Sequence, residues 1–356
     1  MPDPMPADVT GAERVADVLA ASYRLTDVDL VRLPVGQGTT NYRVTSRGRT
    51  LFVKHYPTRA DLAAEAGAIA LTQLAGQHGV PVPAVLPTAH GEVIGHHRDV
   101  GVSVWEWAPG HTVENGFTAM QQTAAGTALG RIHRLFATHP ASSGTPTDLH
   151  GWLHPDLTGL AATIDTLLGV IRDRATPDTY DVVAAHTLTE RRAALRHVPG
   201  LLADLPALTC QVLHGDYSAV NLLFDGDRLT AVLDFRPPSS FLVAFEVGRI
   251  AFDPRTVVLS EDWISRGAIL VAGYLRENPL AAVADVRSSA RVALIQLLTS
   301  LYGVRNHYLN PDLLQDDLDA FWLLRHRAAA MLLEHLDEAE TALDRTLMQA
   351  GHPTRH

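Results

Sequence analysis

Between Val212 and Phe235 the chain reads Val-Leu-His-Gly-Asp-Tyr-Ser-Ala-Val-Asn-Leu-Leu-Phe-Asp-Gly-Asp-Arg-Leu-Thr-Ala-Val-Leu-Asp-Phe, and no other stretch restricts the fold as tightly. A short apolar run leads into a polar loop, and two further apolar runs are joined by Gly226-Asp227, a two-residue connection that favours a tight hairpin. With Asp225 paired to Arg228, the register sets Asn221 opposite Val232 and Asp234 opposite Ala219. Side chains alternate between the two faces of a strand, so Asn221 and Asp234 are expected on one face as diagonal neighbours, about 7–8 Å apart at the backbone. One hard cation would touch both. Asp216 precedes Asn221 by five residues and follows His214-Gly215, a sparse combination of polar residues. A plain surface hairpin with a hydrogen-bonded Asp and Asn at its mouth is the alternative reading of these residues alone.

Upstream, Val28–Leu33, Tyr42–Thr45 and Thr50–His55 read as three strands, the last two joined by a turn at Arg47-Gly48. The loop between the first two is Gly36-Gln37-Gly38-Thr39-Thr40-Asn41. Two glycines there let backbone N–H groups approach phosphate oxygens that a Cβ would obstruct, although an ordinary hairpin loop uses the same residues. Lys54 is more telling. Of 29 basic residues it is the single lysine, kept near the inward end of an apolar strand. A compact ammonium on a flexible stem reaches between phosphates where a planar guanidinium would not fit. Ala60 to Ala75 reads as a helix with Leu62, Glu65 and Ile69 on one stripe, and a carboxylate on an apolar stripe needs a cation. Lys54 is the expected partner of Glu65, with a solvated Glu65 at the stripe's edge as the alternative.

With 356 residues and 46% apolar composition the chain can bury a large core, expected as two lobes. A net charge of −10 argues against nucleic acid or an anionic membrane as partner. Cys210, the one cysteine, forms no internal disulfide and reads as a buried thiol in a reducing compartment. No basic segment precedes an apolar run at the N-terminus, and no apolar stretch reaches 18 residues, so a cytoplasmic protein is expected. Residues 1–10 read as a disordered tail and Gly11 to Tyr23 as a helix packing through Val15, Val18 and Leu19.

Gly79-Val80-Pro81-Val82-Pro83 starts a stiff connection, followed by strands near Gly91–His97 and Gly101–Trp107. Strand signal gives way to turn chemistry at Glu106-Trp107-Ala108-Pro109-Gly110, where the hinge between lobes is expected. Helices follow at Thr118–Ala137, Leu157–Arg174 and Asp178–Leu205, the last interrupted by Pro199-Gly200. His133 on the first of these reads as structural and Glu190-Arg191-Arg192 as a solvated face. The remainder is helical: Glu261–Glu277, Ala284–Tyr308 and Asp312–Leu347. Asp312, Asp316, Asp317 and Asp319 at the start of the last helix favour the positive end of its dipole, or else line a pocket for amines. No repeat and no Cys/His metal spacing occurs.

His214-x-Asp216-x-x-x-x-Asn221 and Asp234-Phe235, with Gly36-x-Gly38 and Lys54 ahead of them, resemble the small-molecule kinases of the aminoglycoside phosphotransferase, choline kinase and homoserine kinase type. The likeness runs from about Val28 to Gly248 and is only general in the C-terminal helices. It implies an α+β, bilobal protein-kinase-like fold: an antiparallel-sheet N-lobe over 11–107 and a larger, mainly helical C-lobe over 108–356. It further implies that Asp216 is the catalytic base with His214 bracing its loop, and that Asn221 and Asp234 hold Mg²⁺. ATP would be met by Gly36, Gly38, Thr39, Lys54 and Glu65, and its adenine by the main chain near Glu106 and Trp107. In the resembled family an Asn often braces the glycine loop, and Asn41 has the matching place. Two departures stand out: Arg236 takes the Gly place after Asp234-Phe235, and Glu246 takes the place of an Asp that braces the catalytic loop. The short interval from Asp234 to Glu246 leaves no room for a peptide-docking segment, so the acceptor is expected to be a small molecule with a hydroxyl. Aminoglycoside-type compounds come first, then a homoserine-like or choline-like amino alcohol or a sugar. A carboxylate-bearing acceptor would want clustered arginines, for which Arg249 and Arg305 are candidates. A monomer or homodimer is expected, and a non-catalytic nucleotide-binding module is the rival reading.

Overall fold

The computed structural model describes residues 9–34, 38–144, 146, 148–311 and 315–352. The chain forms two compact units: one runs up to His111 and takes in Thr230–Pro238, and the other holds Thr112–Leu229 and the chain from Ser239 onward. The first unit therefore reaches a little past Trp107 and includes a return segment that local sequence patterns do not announce.

In the first unit, β1 (Val28–Leu33), β2 (Thr40–Ser46), β3 (Arg49–Tyr56), β4 (Val85–Leu86), β5 (Gly95–His97) and β6 (Val100–Glu106) form one antiparallel sheet in the order β1-β2-β3-β6-β4, with β5 also on β6. The β2–β3 turn places both Arg47 and Gly48 at positive φ, the geometry that a tight right-twisting hairpin requires. Alternation along β3 sends Leu51 and Val53 to one face, where they meet Val44, Val102 and Val104 under Val15, Val18 and Leu19 of the helix Val9–Tyr23. That helix takes in the last two residues of the expected tail. Lys54 and Tyr56 share the other face of β3, and Tyr56 packs there with Ile69 and Ile94. Ile69 lies on the helix Leu62–Gln77, whose first turn is capped by Asp61 Oδ1 accepting from the Ala63 and Ala64 amides at 3.1 Å. The return segment is tied down twice: Val232 N donates to Pro81 O at 2.8 Å and Thr230 Oγ1 to Pro109 O at 2.6 Å.

The second unit is helical. Its axis is a pair of helices, Ala119–Phe136 and Trp263–Glu277, which approach so closely that a Cβ on Gly126 would overlap the carbonyl oxygen of Leu270. Thr118 and Gln121 close a capping box at the start of the first of them. A second core gathers Ile164 and Leu167 of Leu157–Arg172, Ala184 and Leu188 of Thr179–Ala194, and Trp322 of Gln315–Glu334. Two short ribbons complete the unit's edge: β7 (Cys210–Val212) with β10 (Ser240–Leu242), and β8 (Leu222–Asp225) with β9 (Arg228–Val232), the chain leaving for the first unit within β9. No helix among the described residues is long and apolar enough to cross a membrane.

Several expected helices are broken. Asp178–Leu205 is two helices, Thr179–Ala194 and Val198–Ala203, with a 3₁₀ turn at Leu195–His197; Pro199 sits in the first turn of the second, where a missing N–H costs nothing. Ala284–Tyr308 stops at Thr299 and resumes at Val304, after Gly303 at φ 98°. The last helix divides at His335 into Gln315–Glu334 and Leu336–Gln349, and Asp312 lies outside the described residues. A helix at Pro254–Leu259 precedes the expected start at Glu261. Arg191, expected on a solvated face, is buried over the Trp322 ring. Cys210 is only half-buried, and burial pushes its thiol up.

Candidate active site

The second unit builds a polar loop around one buried carboxylate. β7 delivers Leu213 and His214, and β10 delivers the helix Val243–Ala251, so Glu246 lies within the first turn of that helix beneath the loop. Glu246 Oε1 accepts from Gly215 N at 2.7 Å, and Oε2 accepts from His214 N at 3.1 Å and from His133 Nε2 at 3.0 Å. Gly215 sits at φ 88°, a conformation open to glycine, and the chain turns there toward Asp216. Burial by itself would raise the Glu246 carboxyl, but the His133 hydrogen bond, the fields of His133 and His214, and the Gly215 amide outweigh it and hold Glu246 below its ordinary value. His133 Nδ1 lies 3.1 Å from the Tyr274 hydroxyl, which also accepts from Asn278 Nδ2 at 3.0 Å. The longer Glu thus does the bracing expected of an Asp, and His133 braces the Glu.

The loop itself is cross-tied. Asp216 N donates to His214 Nδ1 at 3.2 Å, and Asn221 Nδ2 donates to Asp216 O at 2.9 Å. The Tyr217 hydroxyl donates to Ala125 O at 2.8 Å, anchoring the loop on the Ala119–Phe136 helix. Asn221 closes a 3₁₀ turn, Ala219–Asn221, rather than opening a strand, so the expected ladder position opposite Val232 is not realised. The carboxylate of Asp216 is met by Arg249 Nη2 at 2.6 Å, from one turn after Glu246 on the same helix. This pair, absent from the sequence reading, could have been found from the i, i+3 spacing of Glu246 and Arg249 once the helix was placed.

In the first unit, Lys54 Nζ lies 2.8 Å from Asp234 Oδ1. Asp234 stands outside β9, at φ 60°, which explains why the strand register assigned to it from sequence does not hold. The expected Lys54–Glu65 pair is not formed, because the return segment brings a carboxylate closer; Glu65 instead acts through its field on the Tyr56 phenol, which burial already pushes up. Gly38 has φ 79°, and Thr39 Oγ1 donates to Asn41 Oδ1 at 3.3 Å, a brace across the loop end; Gly36 lies outside the described residues. Glu106 has its N–H taken by Ala84 O at 2.8 Å and its exposed side chain 3.6 Å from Arg49. Trp107 is exposed. No group of three or more His, Cys, Asp or Glu suited to a metal ion occurs among the described residues. Asn221 and Asp234 are nonetheless oxygen donors of the kind a hard cation takes, and the Asn221 amide, fixed by its donation to Asp216 O, turns its oxygen away from that bond.

Residues 29–282 match the family model described as "APH: Phosphotransferase enzyme family". No curated protein matches the chain. Among solved structures it is similar to amicoumacin kinase hAmiN in complex with AMP-PNP, Ca²⁺ and Ami (15% identity, 92% of this chain and 96% of that one, TM-score 0.60). It is also similar to a spectinomycin phosphotransferase, APH(9)-Ia, in complex with ADP and spectinomycin (12%, 89% and 97%, TM-score 0.56). A microcompartment-associated aminopropanol kinase matches over 97% of this chain and 99% of that one, at 18% identity and TM-score 0.52. At these identities the likeness is one of fold: an antiparallel-sheet unit followed by a helical one.

Proposed function

This chain belongs to the phosphotransferase enzyme family, and we propose that it transfers the γ-phosphoryl group of ATP to a hydroxyl of a small molecule. The observation that carries the reading is the loop over Glu246: one buried carboxylate fixes the His214 and Gly215 amides, and Asn221 ties back to the Asp216 carbonyl. Two side chains of different chemistry, a carboxylate and an amide, are thereby set on one short turn.

Asp216 orients the acceptor hydroxyl and takes its proton as the acceptor oxygen bonds to the γ-phosphorus; the bond to the β,γ-bridging oxygen breaks and ADP leaves. His214 holds the loop through its ring nitrogen. Lys54 neutralises phosphate oxygens, and Gly38 to Asn41 support the loop that covers them. Asn221 and Asp234 would hold Mg²⁺, which when bound with ATP offsets the charge of the phosphates. Nucleotide-bound relatives support ATP as the donor.

The aminoglycoside-type acceptor expected from sequence draws support from the spectinomycin and amicoumacin relatives. It draws none from the C-terminal acids: Asp319 is engaged by His307 at 2.7 Å and by Gln315 at 2.6 Å, while Asp316 and Asp317 are exposed. ADP release measured with Mg-ATP against aminoglycosides, amino alcohols, hydroxy acids and sugars tests the reading. Stimulation by one class supports it; nucleotide binding without transfer to any acceptor supports the non-catalytic module instead.

A further inference from the structure

The helix Val243–Ala251 grips the loop of Asp216 twice. Glu246 takes the backbone amides of His214 and Gly215, and Arg249, three residues on and on the same face, takes the Asp216 carboxylate at 2.6 Å. The two grips differ in exposure. Glu246 and its partner His133 are sealed, with side chains 3% and 0% exposed, as suits a contact that only has to persist. The Arg249 and Asp216 side chains are 32% and 20% exposed, so an arriving molecule can reach both.

Bracing alone does not require an arginine there. Main-chain ties already fix Asp216 on either side: its N–H donates to His214 Nδ1 at 3.2 Å, and its carbonyl accepts from Asn221 Nδ2 at 2.9 Å. A guanidinium carries five N–H donors in a planar fork that matches carboxylate and phosphate oxygens alike. Among the described residues, the Asp216 carboxylate is the one anion within ion-pair distance of Arg249. Arg249 therefore has a single charged partner, and that partner is the group that gives up its charge when a proton arrives.

We propose that Arg249 is a further catalytic residue, one that holds Asp216 in the resting protein and passes to the phosphoryl group during transfer. As the acceptor oxygen bonds to the γ-phosphorus, its proton goes to the Asp216 carboxylate, and the bond from phosphorus to the β,γ-bridging oxygen breaks with its electron pair left on ADP. Asp216 becomes a neutral acid in the same step that bonds the phosphoryl group to the oxygen it has deprotonated. The guanidinium loses one anion and meets another at the same place, so its charge is never left without a partner. This rests on the kinase reading, with Asp216 as the base, and adds a cation beside that base.

The test is a double-mutant cycle on ADP release, run with Mg-ATP and whichever acceptor of the panel above is turned over fastest. Arg249→Met should lower kcat about 10²-fold, the scale of deleting one donor to a transition-state charge, with KM for ATP little changed. Arg249→Lys, which keeps the charge and loses the fork, should lie between that variant and the parent. The deciding variant carries Arg249→Met together with Asp216→Asn. A residue that only braced Asp216 would have nothing left to do there, and the second substitution would add no loss. Contact with the phosphoryl group predicts a further fall of about tenfold or more. A second readout needs no turnover: aluminium fluoride added to Mg-ADP, a mimic of the phosphoryl group in transfer, should raise the thermal midpoint of the parent and of Asp216→Asn, but not that of folded Arg249→Met. No further loss in the double variant, or equal stabilisation by aluminium fluoride with and without Arg249, would overturn the proposal. If either happens while the parent phosphorylates an acceptor and Asp216→Asn does not, the kinase reading stands alone; a parent that releases no ADP with any acceptor removes both.

Discussion

Lys54 and Asp234, separated by 180 residues in sequence, stand 2.8 Å apart within one compact unit. The pair is partly exposed, so its own contribution to stability is small, about 0–1 kcal/mol. The role proposed for it is chemical. Asp234→Asn keeps a residue type that tolerates positive φ and removes only the charge. Unfolding midpoints should barely move in Asp234→Asn and in Lys54→Met, while kcat/KM for ATP falls by about 10²–10³ in each, the scale of deleting one preorganised electrostatic contact. Denaturant titration beside steady-state kinetics separates the two effects; a matched loss of both would mean the pair is merely structural.

Asp216→Asn removes the proposed proton acceptor and the partner of Arg249 together. Turnover should drop by about 10²–10⁴, with nucleotide affinity retained. Retained turnover in this variant would eliminate Asp216 as the base.

Glu246 is a stability element with a pH signature. Its folded-state carboxyl lies below the ordinary value of 4.5, so its contribution is fully present above that pH and is lost as pH falls through the lower folded value. Glu246→Gln leaves His133 and the loop amides with a poorer partner and should cost about 3 kcal/mol or more at neutral pH. It should also flatten the acid limb of stability below about 4.5. Chemical denaturation from pH 3 to 7 reads both; parallel curves for the variant and the parent would refute the assignment.

Gly126→Ala sets two effects against each other. Alanine favours a helix interior by about 0.8–1 kcal/mol, but its Cβ would overlap the Leu270 carbonyl, and overpacking of this kind costs about 1–3 kcal/mol. Overlap wins, and the variant should be less stable. Gly200→Ala, with open space around the new Cβ, should be neutral or stabilising by up to about 1 kcal/mol. Melting curves of the two variants compared with the parent decide it.

What sequence revealed and what it hid divide along one physical line. Alternation is local, so β1 and the β2–β3 hairpin were legible, as were Lys54 on its strand and the tight turn at Gly226-Asp227. Asn221 and Asp234 were recognised by residue type yet misplaced on strands, because composition does not mark where alternation yields to a 3₁₀ turn or to a positive φ. Partners across space were not legible. Glu65 was the acid expected at Lys54 because it shares the apolar stripe of its helix, whereas the acid that lies 2.8 Å from Lys54 in the fold is Asp234. The Glu246–His133–Tyr274 chain joins three elements far apart in sequence, and its only local trace is Tyr274 and Asn278 at i, i+4 on one helix. The burial of Arg191, which the sequence placed on a solvated face, carried no local signal.

The return of Thr230–Pro238 to the first unit has a bearing on how the protein is made. As the chain leaves the ribosome, the sheet of β1 to β6 can collapse early, but Lys54 waits for its counterion until the chain has been synthesised past Pro238. The nascent first unit therefore lacks Asp234 through the whole synthesis of the loop that holds Asp216. A fragment ended before Thr230 would hold Lys54 without Asp234, so a split there leaves the two members of one compact unit's ion pair on different pieces.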